Sequence, residues 1–507
     1  MARDPAEERL PLQSARRSDL RTCAAAACVF ATGSLLCAVF SDGFLTADAL
    51  THYLYTKYAF SRPTYLVDVW GRPFVTALFA LPAAVAGRLG VRVTSMLLAL
   101  VCAALAYGIA RGQGVRRPVL AFVFTLAQPL VFLHSFAEMT ELPFAALAGA
   151  AFAAYQGRRW TLSAVLVALT PLARPEGFGL VALAGVAFLL QRRVLPLLLL
   201  PLPLVLWNHA GWEVYDRASP WWRWLPDHWP YSKESTYPAG HPLQFVAQLP
   251  VVVSPFVLPA VLIGVGLSFS RDKLAPDNRH PRVCRVAAAF IPLFVLTVHS
   301  VLSATGKMAS FGEPRYLLVA APFWAVLAAR GWEWVFDRCD WRQPVRWAVV
   351  AALLPAAALL YHRVLPLRTP AHWHAAEAFA TEYRRQLQPN GYPRVLAAHP
   401  AVYYYCGIDP QDETLAADWR KEVIASVPAG TVLVWDPVYS TRNAHEDRVV
   451  TPQDVRKAGW VVDSEMAELL SRAARERGGR PSPDPTERLA PEGQQEWLVF
   501  RSPQSRL

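Results

Sequence analysis

Three polar or aromatic side chains share one face of a short predicted helix within residues 46–60, "TADALTHYLYTKYAF". Asp48, His52 and Tyr55 are spaced i, i+4 and i+7, which places them on the same side of an α-helix. A carboxylate beside basic groups is suited to act as a general base for a hydroxyl. A second use stays open, because either Thr46 or Asp48 is a suitable N-cap. His52 and Tyr55 either shape a pocket beside Asp48 or pack at a membrane surface.

Basic residues near the ends of apolar segments form a second candidate group. They are Arg72 in "WGRPF", Arg174 in "LARPEG", and Lys307 and Arg315 in the loop that ends "GEPRYLL". A guanidinium group binds phosphate through paired hydrogen bonds, so this group is suited to a lipid phosphate or pyrophosphate. In the alternative, each arginine extends to lipid headgroups or pairs with a neighbouring carboxylate, such as Glu176 or Glu313.

Acidic residues near the same segment ends are the third group. The binding candidates are Glu138, Glu141 and Glu176. Glu138 and Glu141 precede Pro143, so they are suited to cap the following helix. Together with Asp48 they also offer oxygen ligands to a divalent cation, although no D-x-D or H-x-x-E spacing supports that use. The motifs of serine hydrolases, P-loop proteins, dinucleotide-binding proteins and zinc proteases are absent from the sequence.

The composition indicates which elements must position these residues. The chain has 507 residues, of which 54% are hydrophobic and only 18% charged, and its mean hydropathy is +0.22. Soluble proteins carry about 25% charged residues. Several apolar runs approach the ~20 residues that cross a bilayer, so the sequence predicts a polytopic membrane protein. The net charge of +11 comes largely from arginines in predicted cytoplasmic loops and does not indicate nucleic-acid binding.

The apolar runs predict about eleven membrane spans. They lie near 22–40, 92–110, 118–134, 142–156, 160–173, 177–191, 194–208, 249–269, 284–303, 315–330 and 345–362. A further run at 73–87 is short and contains Pro82, which favours an interfacial or re-entrant helix. If this run does not cross the membrane, the arginine-rich loops, including 111–117 and 157–159, lie on the cytoplasmic side. If the run crosses, the same arginine-rich loops face outward. Because basic loops favour the cytoplasmic side, we predict that residues 73–87 do not cross the membrane and do not count as a span.

This topology defines the predicted organisation of the chain. Residues 1–21 form a cytoplasmic tail, 22–363 a bundle of membrane helices, and 364–507 an extracytoplasmic domain. The two large external loops lie at about 41–91 and 209–248. The fold class is mainly α, with a C-terminal α/β domain. The candidate residues above then lie at the external face.

The last 140 or so residues change in character. The segment "HWHAAEAFATEYRRQLQ" predicts a helix. Five segments predict short strands between turn residues, namely "RVLAAH", "AVYYYCG", "GTVLVWD", "GWVVDS" and "EWLVFRS". The segment "GGRPSPDPTERLAPEGQQ" predicts a flexible surface insertion.

Residues 22–362 resemble the GT-C superfamily of membrane glycosyltransferases, which use polyprenyl-phosphate-linked sugars. The likeness is carried by "TADALTHYLYTKYAF…DVWGRPFVTALFALP", "LARPEGFGL" and "PRYLLVAAPFWAVLAA". It implies that Asp48 is the catalytic aspartate of the first external loop and that Arg174 and Arg315 contact the donor phosphate. Glu138 and Glu141 match the second acidic loop position. Ala49 departs from the pattern, because many members have Glu there, which weakens a paired-carboxylate or metal role.

The resemblance implies a transferase that moves mannose or a related hexose from a polyprenyl-phosphate donor to a glycan, lipid or protein acceptor. A transporter or flippase of a lipid-linked phosphate substrate is the main alternative. Transporters are expected to place ionisable groups near the bilayer midplane and to contain paired broken helices. A non-catalytic anchoring protein is the other alternative.

Overall fold

The computed structural model is mainly helical and ends in a small sheet. The structure describes residues 5–215, 217–230, 239–270, 279–307, 312–339, 348, 360, 364–417, 419–441, 449–476 and 496–502. Most of the predicted span at 345–362 and the predicted insertion at 478–495 lie outside the described residues.

The helices before residue 340 surround one continuous apolar core. They are α1 (Pro5–Phe40), α2 (Ala47–Tyr58), α3 (Pro73–Gly112), α4 (Val119–Leu126), α5 (Pro129–His134), α6 (Glu141–Gln156), α7 (Trp160–Ala168), α8 (Gly177–Leu190), α9 (Val194–Leu199), α10 (Leu202–Tyr215), α11 (Trp224–Asp227), α12 (Gln244–Val253), α13 (Leu258–Phe269), α14 (Arg279–Ala304) and α15 (Ala321–Arg338). Short 3-10 helices occur at Pro63–Leu66, Thr170–Leu172, Trp221–Arg223 and Pro314–Ala320.

Four of the described helical segments are long and apolar enough to cross a membrane. They are Ser18–Phe40, Pro73–Gly112, Val194–Tyr215 and Arg282–Ala304, and the bent pair α12 and α13 adds a fifth if it forms one broken span. These segments identify an integral membrane protein. Other apolar runs form shorter helices, because prolines such as Pro129 and Pro171 end or restart them. The count of eleven spans and the orientation of the termini therefore stay predictions.

The run at 73–87 forms the first part of α3, which continues to Gly112. Its helical geometry breaks at Ala86 and at Gly87, whose φ of 57° lies in the left-handed region that glycine adopts readily. The break falls where the sequence separates this run from the predicted span at 92–110. Whether residues 73–87 cross the membrane stays a prediction.

Helix α2 begins next to Thr46, which settles the choice between the two possible caps. The Thr46 hydroxyl accepts a hydrogen bond from the backbone N–H of Ala49 at 3.3 Å. Asp48 lies in the first helical turn, where the positive end of the helix dipole favours a carboxylate. Because Thr46 is the cap, the Asp48 side chain is available for other contacts.

The chain after residue 364 adds a four-stranded sheet and further helices. They are α16 (Trp373–Glu382), β1 (Arg394–Ala397), α17 (Pro400–Cys406), α18 (Lys421–Ser426), β2 (Thr431–Trp435), α19 (Pro452–Lys457), β3 (Val461–Val462), α20 (Ser464–Glu476) and β4 (Leu498–Arg501), with a π-helix at Tyr383–Leu387. The strand order is β1-β2-β4-β3. β1 and β2 are parallel, with Arg394 opposite Thr431, whereas β4 is antiparallel to β2 and to β3.

The strand predicted for "AVYYYCG" is wrong, because these residues form α17. His399 caps this helix by accepting a hydrogen bond from the N–H of Ala401 at 3.1 Å. Pro400 occupies the first helical position, and Gly407 ends the helix with a φ of 73°. These end signals outweigh the strand preference of three consecutive tyrosines. The other four predicted strands fall on β1 to β4.

Candidate active site

Six charged side chains from four parts of the chain meet at one end of the helices. They are Asp48, Glu141, Glu176, Glu313, Arg174 and Arg315, and we call them the carboxylate–arginine cluster. Asp48 is in the first turn of α2, Glu141 begins α6, and Glu176 precedes α8. The sequence had predicted Asp48 as the catalytic residue and four other members, Glu141, Arg174, Glu176 and Arg315, as binding residues. Glu313 appeared only as a pairing partner for Arg315.

Arg315 is the centre of one half of the cluster. Its Nη2 donates to Asp48 Oδ2 at 2.7 Å, and its Nε lies 3.9 Å from Glu141 Oε1. It also pairs with Glu313, two residues earlier in the chain. The 3-10 helix Pro314–Ala320 carries this side chain toward α2 and α6. Arg315 thereby contacts a residue that lies 267 positions earlier in the sequence.

Arg174 organises the other half of the cluster. Its Nη1 donates to Glu141 Oε1 and to the Thr140 hydroxyl, both at 2.7 Å. Its Nε and Nη2 donate to Glu176 at 2.9–3.2 Å. For Arg174 and Arg315, the pairing with a neighbouring carboxylate that the sequence left as an alternative is therefore present in the structure.

The turn that presents Arg174 depends on a close backbone approach. A Cβ on Gly177 would lie 2.3 Å from the backbone of Thr170 and of Pro171, so only glycine fits there. Pro171 is the second residue of the 3-10 helix Thr170–Leu172, and Pro175 follows Arg174. These two prolines stop the chain from continuing as one helix. The result is a tight turn between α7 and α8 that directs Arg174 and Glu176 into the cluster.

Asp48 differs from the other cluster members in its accessibility. About 45% of its side-chain surface is exposed, whereas Arg174 and Arg315 are 11% and 12% exposed and Glu141 is fully buried. Burial raises the pKa of Asp48, but the charge of Arg315 and its hydrogen bond to the carboxylate outweigh that effect. The pKa of Asp48 therefore lies below its usual value, and the group is ionised at neutral pH.

His52 and Tyr55 lie beside Asp48 on α2 and pack against Trp70. The His52 ring stacks on Trp70 with centroids 4.6 Å apart, and Tyr55 meets the same ring edge-on at 5.8 Å. Burial and the nearby charge of Arg72 lower the pKa of His52 to about 4, against the raising effect of Asp48. His52 is therefore neutral at pH 7. Both side chains form the aromatic wall beside Asp48.

Three other predicted binding residues lie apart from the cluster. Arg72 is buried, has a φ of 64°, and donates to the carbonyl of Val69 at 2.7 Å. Lys307 is exposed after α14. Glu138 is buried and pairs with Arg92. Glu138 therefore does not join Asp48 and Glu141 in a cation site. Within the described residues, no group of three or more His, Cys, Asp or Glu side chains is arranged to hold a metal ion.

His299 and Tyr316 complete the surroundings of the cluster. His299 Nε2 lies 3.2 Å from Glu176 Oε1, and the His299 ring stacks on Tyr316 with centroids 5.0 Å apart. Each cluster arginine lies 5.7 Å from the centre of the Tyr316 ring. The sequence predicted no partner for His299, because its contacts come from residues far away in the chain.

Arg92 holds the first loop against the membrane helices. It is 1% exposed and donates to Glu138 Oε1 at 2.8 Å. It also donates to the carbonyls of Ala38, Ser41 and Gly43 at 2.6–2.9 Å. These three carbonyls end α1 and begin the loop that leads to α2. The sequence showed Arg92 only as the first residue of an apolar segment.

Replacing Arg92 with Gln is expected to lower the stability by about 3–5 kcal/mol, because the change leaves Glu138 as an unpaired buried charge. Arg88→Gln is the matched control on the same helix. Arg88 is more exposed and donates to the carbonyls of Ser41 and Asp42. Thermal unfolding in detergent measures both variants. Adding Glu138→Gln to Arg92→Gln should restore part of the loss, and equal losses for the two arginine variants would contradict the assignment.

Comparisons with known proteins identify the fold. No protein-family profile and no curated protein matches the sequence. The apo crystal structure of ArnT from Cupriavidus metallidurans matches with a TM-score of 0.56 and 12% identity, covering 83% of this chain and 94% of that chain. The chain is similar in fold to ArnT. The ArnT structure bound to undecaprenyl phosphate gives a TM-score of 0.56 at 13% identity, and covers 96% of this chain and 99% of ArnT. The likeness to ArnT thus extends beyond the membrane helices to most residues after 364.

Proposed function

We propose that this protein is an integral-membrane glycosyltransferase. It moves a sugar, mannose or a related hexose, from a polyprenyl-phosphate donor to a glycan, lipid or protein acceptor at the extracytoplasmic face. The observation that carries the proposal is the cluster itself, in which one accessible carboxylate, Asp48, lies against two buried arginines. The fold of ArnT, one structure of which is bound to undecaprenyl phosphate, supports the same class of donor and the GT-C resemblance.

In the proposed reaction, Asp48 accepts the proton of the acceptor hydroxyl. The hydroxyl oxygen forms a bond to the anomeric carbon of the sugar while the bond from that carbon to the phosphate oxygen breaks. The electron pair of the broken bond stays on the phosphate, so negative charge grows there in the transition state. Arg174 and Arg315 stabilise that charge through guanidinium hydrogen bonds. His52 and Tyr55 form the wall beside Asp48 and are suited to contact the acceptor, whereas the substrate contacts predicted for Arg72 and Lys307 stay predictions.

The cluster must rearrange when the donor binds. Its four carboxylates outnumber its two guanidinium groups, so the cluster already carries excess negative charge. A bound phosphate adds further negative charge. The phosphate therefore displaces a carboxylate from an arginine. Asp48 is the most accessible partner and the one to leave Arg315. Separation from Arg315 raises the pKa of Asp48, which makes it a stronger base once the donor is in place.

A transfer assay tests the proposal. The purified protein is placed in lipid vesicles with polyprenyl-phosphate donors that carry radiolabelled mannose or related hexoses, together with an acceptor extract. We expect label in the acceptor and release of polyprenyl phosphate. If the donor instead crosses to the other leaflet with its sugar–phosphate bond intact, the protein is a transporter and the proposal fails.

The pH dependence of transfer gives an independent prediction. The free-enzyme pKa of Asp48 is lowered and that of His52 is about 4, so above pH 5 the carboxylate is ionised and the imidazole neutral. We therefore expect kcat/KM for the donor to stay within about twofold between pH 5.5 and 8, as no group in this pair titrates there. Initial rates across this range measure it. An acid limb with a midpoint near 6.5 would indicate that a histidine carries the essential proton.

A further inference from the structure

The residues after 364 contact the first loop on both sides of α2, the helix that carries Asp48. We infer that this C-terminal region positions α2, and that Asp409 is a positioning residue for Asp48. The role of Asp48 as base rests on the proposed function. The contact between the C-terminal region and α2 stands on the geometry alone.

The first contact lies just before α2. The N–H of Gly43 donates to the carbonyl of Leu367 at 3.1 Å, and the N–H of Leu367 donates to the Ser41 hydroxyl at 2.9 Å. Asp42 accepts from the N–H of Thr369 and from the Arg368 guanidinium, both at 3.0 Å. A Cβ on Gly43 would lie 2.4 Å from the Arg368 carbonyl carbon, so the two backbones touch at this point. The start of the loop is therefore paired with residues 367–369.

The second contact lies just after α2 and centres on Asp409. Arg62 Nε donates to Asp409 Oδ2 at 2.6 Å, and the Tyr65 hydroxyl donates to Asp409 Oδ1 at 2.5 Å. Thr64 donates to the Gln411 side chain at 2.6 Å. The hydroxyl of Tyr58, the last residue of α2, donates to the carbonyl of Gly407 at 3.1 Å. One carboxylate thus joins the C-terminal region to two residues of the segment that follows α2.

Aromatic side chains fill the space between these two contacts. Phe44 lies 5.3 Å from Tyr404 and 6.3 Å from Trp373, measured between ring centroids. Tyr53, in the middle of α2, lies 6.1 Å from Tyr404. Phe44, Tyr53 and Trp373 are buried. Burial of such rings contributes more stabilisation than the polar contacts around them.

A helix of the length of α2 needs this support. Its 12 residues are near the lower limit at which an isolated helix persists in water, so tertiary contacts fix its position. Asp48 is on this helix, whereas Arg315 and Glu141 are on the membrane helices and the segments that join them. A displacement of about 1 Å in a reacting group is enough to reduce a rate about a hundredfold. The C-terminal contacts therefore determine how far Asp48 lies from its partners.

Hydrogen exchange tests the contact without any assumption about function. Asp409→Asn removes the charge between Arg62 and Tyr65. Asp463→Asn is the matched control, because Asp463 accepts from Arg501 Nε at 2.9 Å and its side chain is 10% exposed, against 11% for Asp409. We expect amides of residues 47–58 to exchange about tenfold faster in Asp409→Asn and at the wild-type rate in Asp463→Asn. Unchanged exchange in Asp409→Asn, or equal acceleration by both variants, would overturn the inference.

Kinetics then test the positioning role. In the transfer assay, Asp409→Asn should lower kcat about tenfold and leave the KM for the donor unchanged, because the donor phosphate contacts lie on the membrane side. Asp409→Glu should recover most of kcat, since it keeps the charge. Wild-type kcat in Asp409→Asn would refute the positioning role even if exchange accelerates. If the wild-type protein transfers no sugar, the proposed function fails while the exchange result still decides the contact.

Discussion

Asp48→Asn is expected to reduce sugar transfer by about 10²–10⁴-fold, the usual contribution of a general base. Asn has nearly the same shape as Asp, and its carbonyl oxygen still accepts a hydrogen bond from Arg315. It cannot take the proton of the acceptor hydroxyl. The variant should therefore keep its fold and bind undecaprenyl phosphate at least as tightly as the wild type, because the phosphate no longer displaces a carboxylate from Arg315, so that the loss appears in kcat. Radiolabel transfer and lipid binding, measured on the same preparation, separate the two quantities.

Asp227→Asn is the matched control for this experiment. Asp227 lies in the predicted external loop at 209–248, is 41% exposed, and pairs with Arg223 at 3.4 Å. Its removal should leave transfer within about twofold of the wild type, as expected for an exposed ion pair. Wild-type turnover in Asp48→Asn would show that the base assignment is wrong. Equal losses in both variants would point to a general effect of removing external carboxylates.

Arg315→Gln should have the second largest effect, on both activity and stability. Arg315 pairs with Asp48 and Glu313 and lies near Glu141, so its removal leaves three carboxylates with less compensation. Breaking such a buried network costs about 3–5 kcal/mol. Transfer should fall by about 10²–10³-fold, because the growing charge on the phosphate loses a donor. Arg217→Gln, at an exposed arginine that pairs with Glu213, should leave stability within about 1 kcal/mol of the wild type.

A double variant separates the structural from the catalytic part of that effect. Adding Asp48→Asn to Arg315→Gln removes one of the uncompensated charges, so thermal stability should partly recover. The transfer rate should stay no higher than that of the less active single variant, because both the base and the phosphate contact are absent. Recovery of activity together with stability would mean that Arg315 acts only as a structural counter-ion.

Helix α2 and the two candidates for its cap were predictable because their signals are local. The apolar spacing around Asp48, His52 and Tyr55 is read within one stretch of chain, and a hydroxyl next to the first turn is a common cap. The sequence left Thr46 and Asp48 as equal candidates for that cap. In the structure Thr46 is the cap, and the Asp48 carboxylate instead accepts a hydrogen bond from Arg315, 267 residues away in the chain.

The composition of the cluster was less predictable, because its members come from residues that are far apart in the sequence. Glu176 lies next to Arg174 but also meets His299, and Glu138 meets Arg92 instead of joining Asp48. No local spacing encodes these pairs, because separate helices bring them together. One sequence signal for such a pair was available. Arg92 is the first residue of an otherwise apolar segment, and a buried guanidinium requires a partner.

The errors also have physical causes. The residues "AVYYYCG" have a strand-like composition, yet Pro400 and Gly407 mark the ends of a helix around them. The number of spans is difficult to read from hydropathy because prolines divide apolar runs into shorter helices, as at Pro129. Hydropathy measures only whether a segment is apolar and leaves open where its helix bends.

The position of the phosphate in an experimental structure of the wild-type protein with undecaprenyl phosphate bound tests the assignment of the donor site most directly. We expect the phosphate within about 3 Å of the guanidinium of Arg174 or Arg315, the distance of a charge-assisted hydrogen bond. We also expect Asp48 to have separated from Arg315 and to face the space beside the phosphate. A phosphate bound elsewhere, with Arg174 and Arg315 still paired to their carboxylates, would contradict the assignment of this cluster as the donor site.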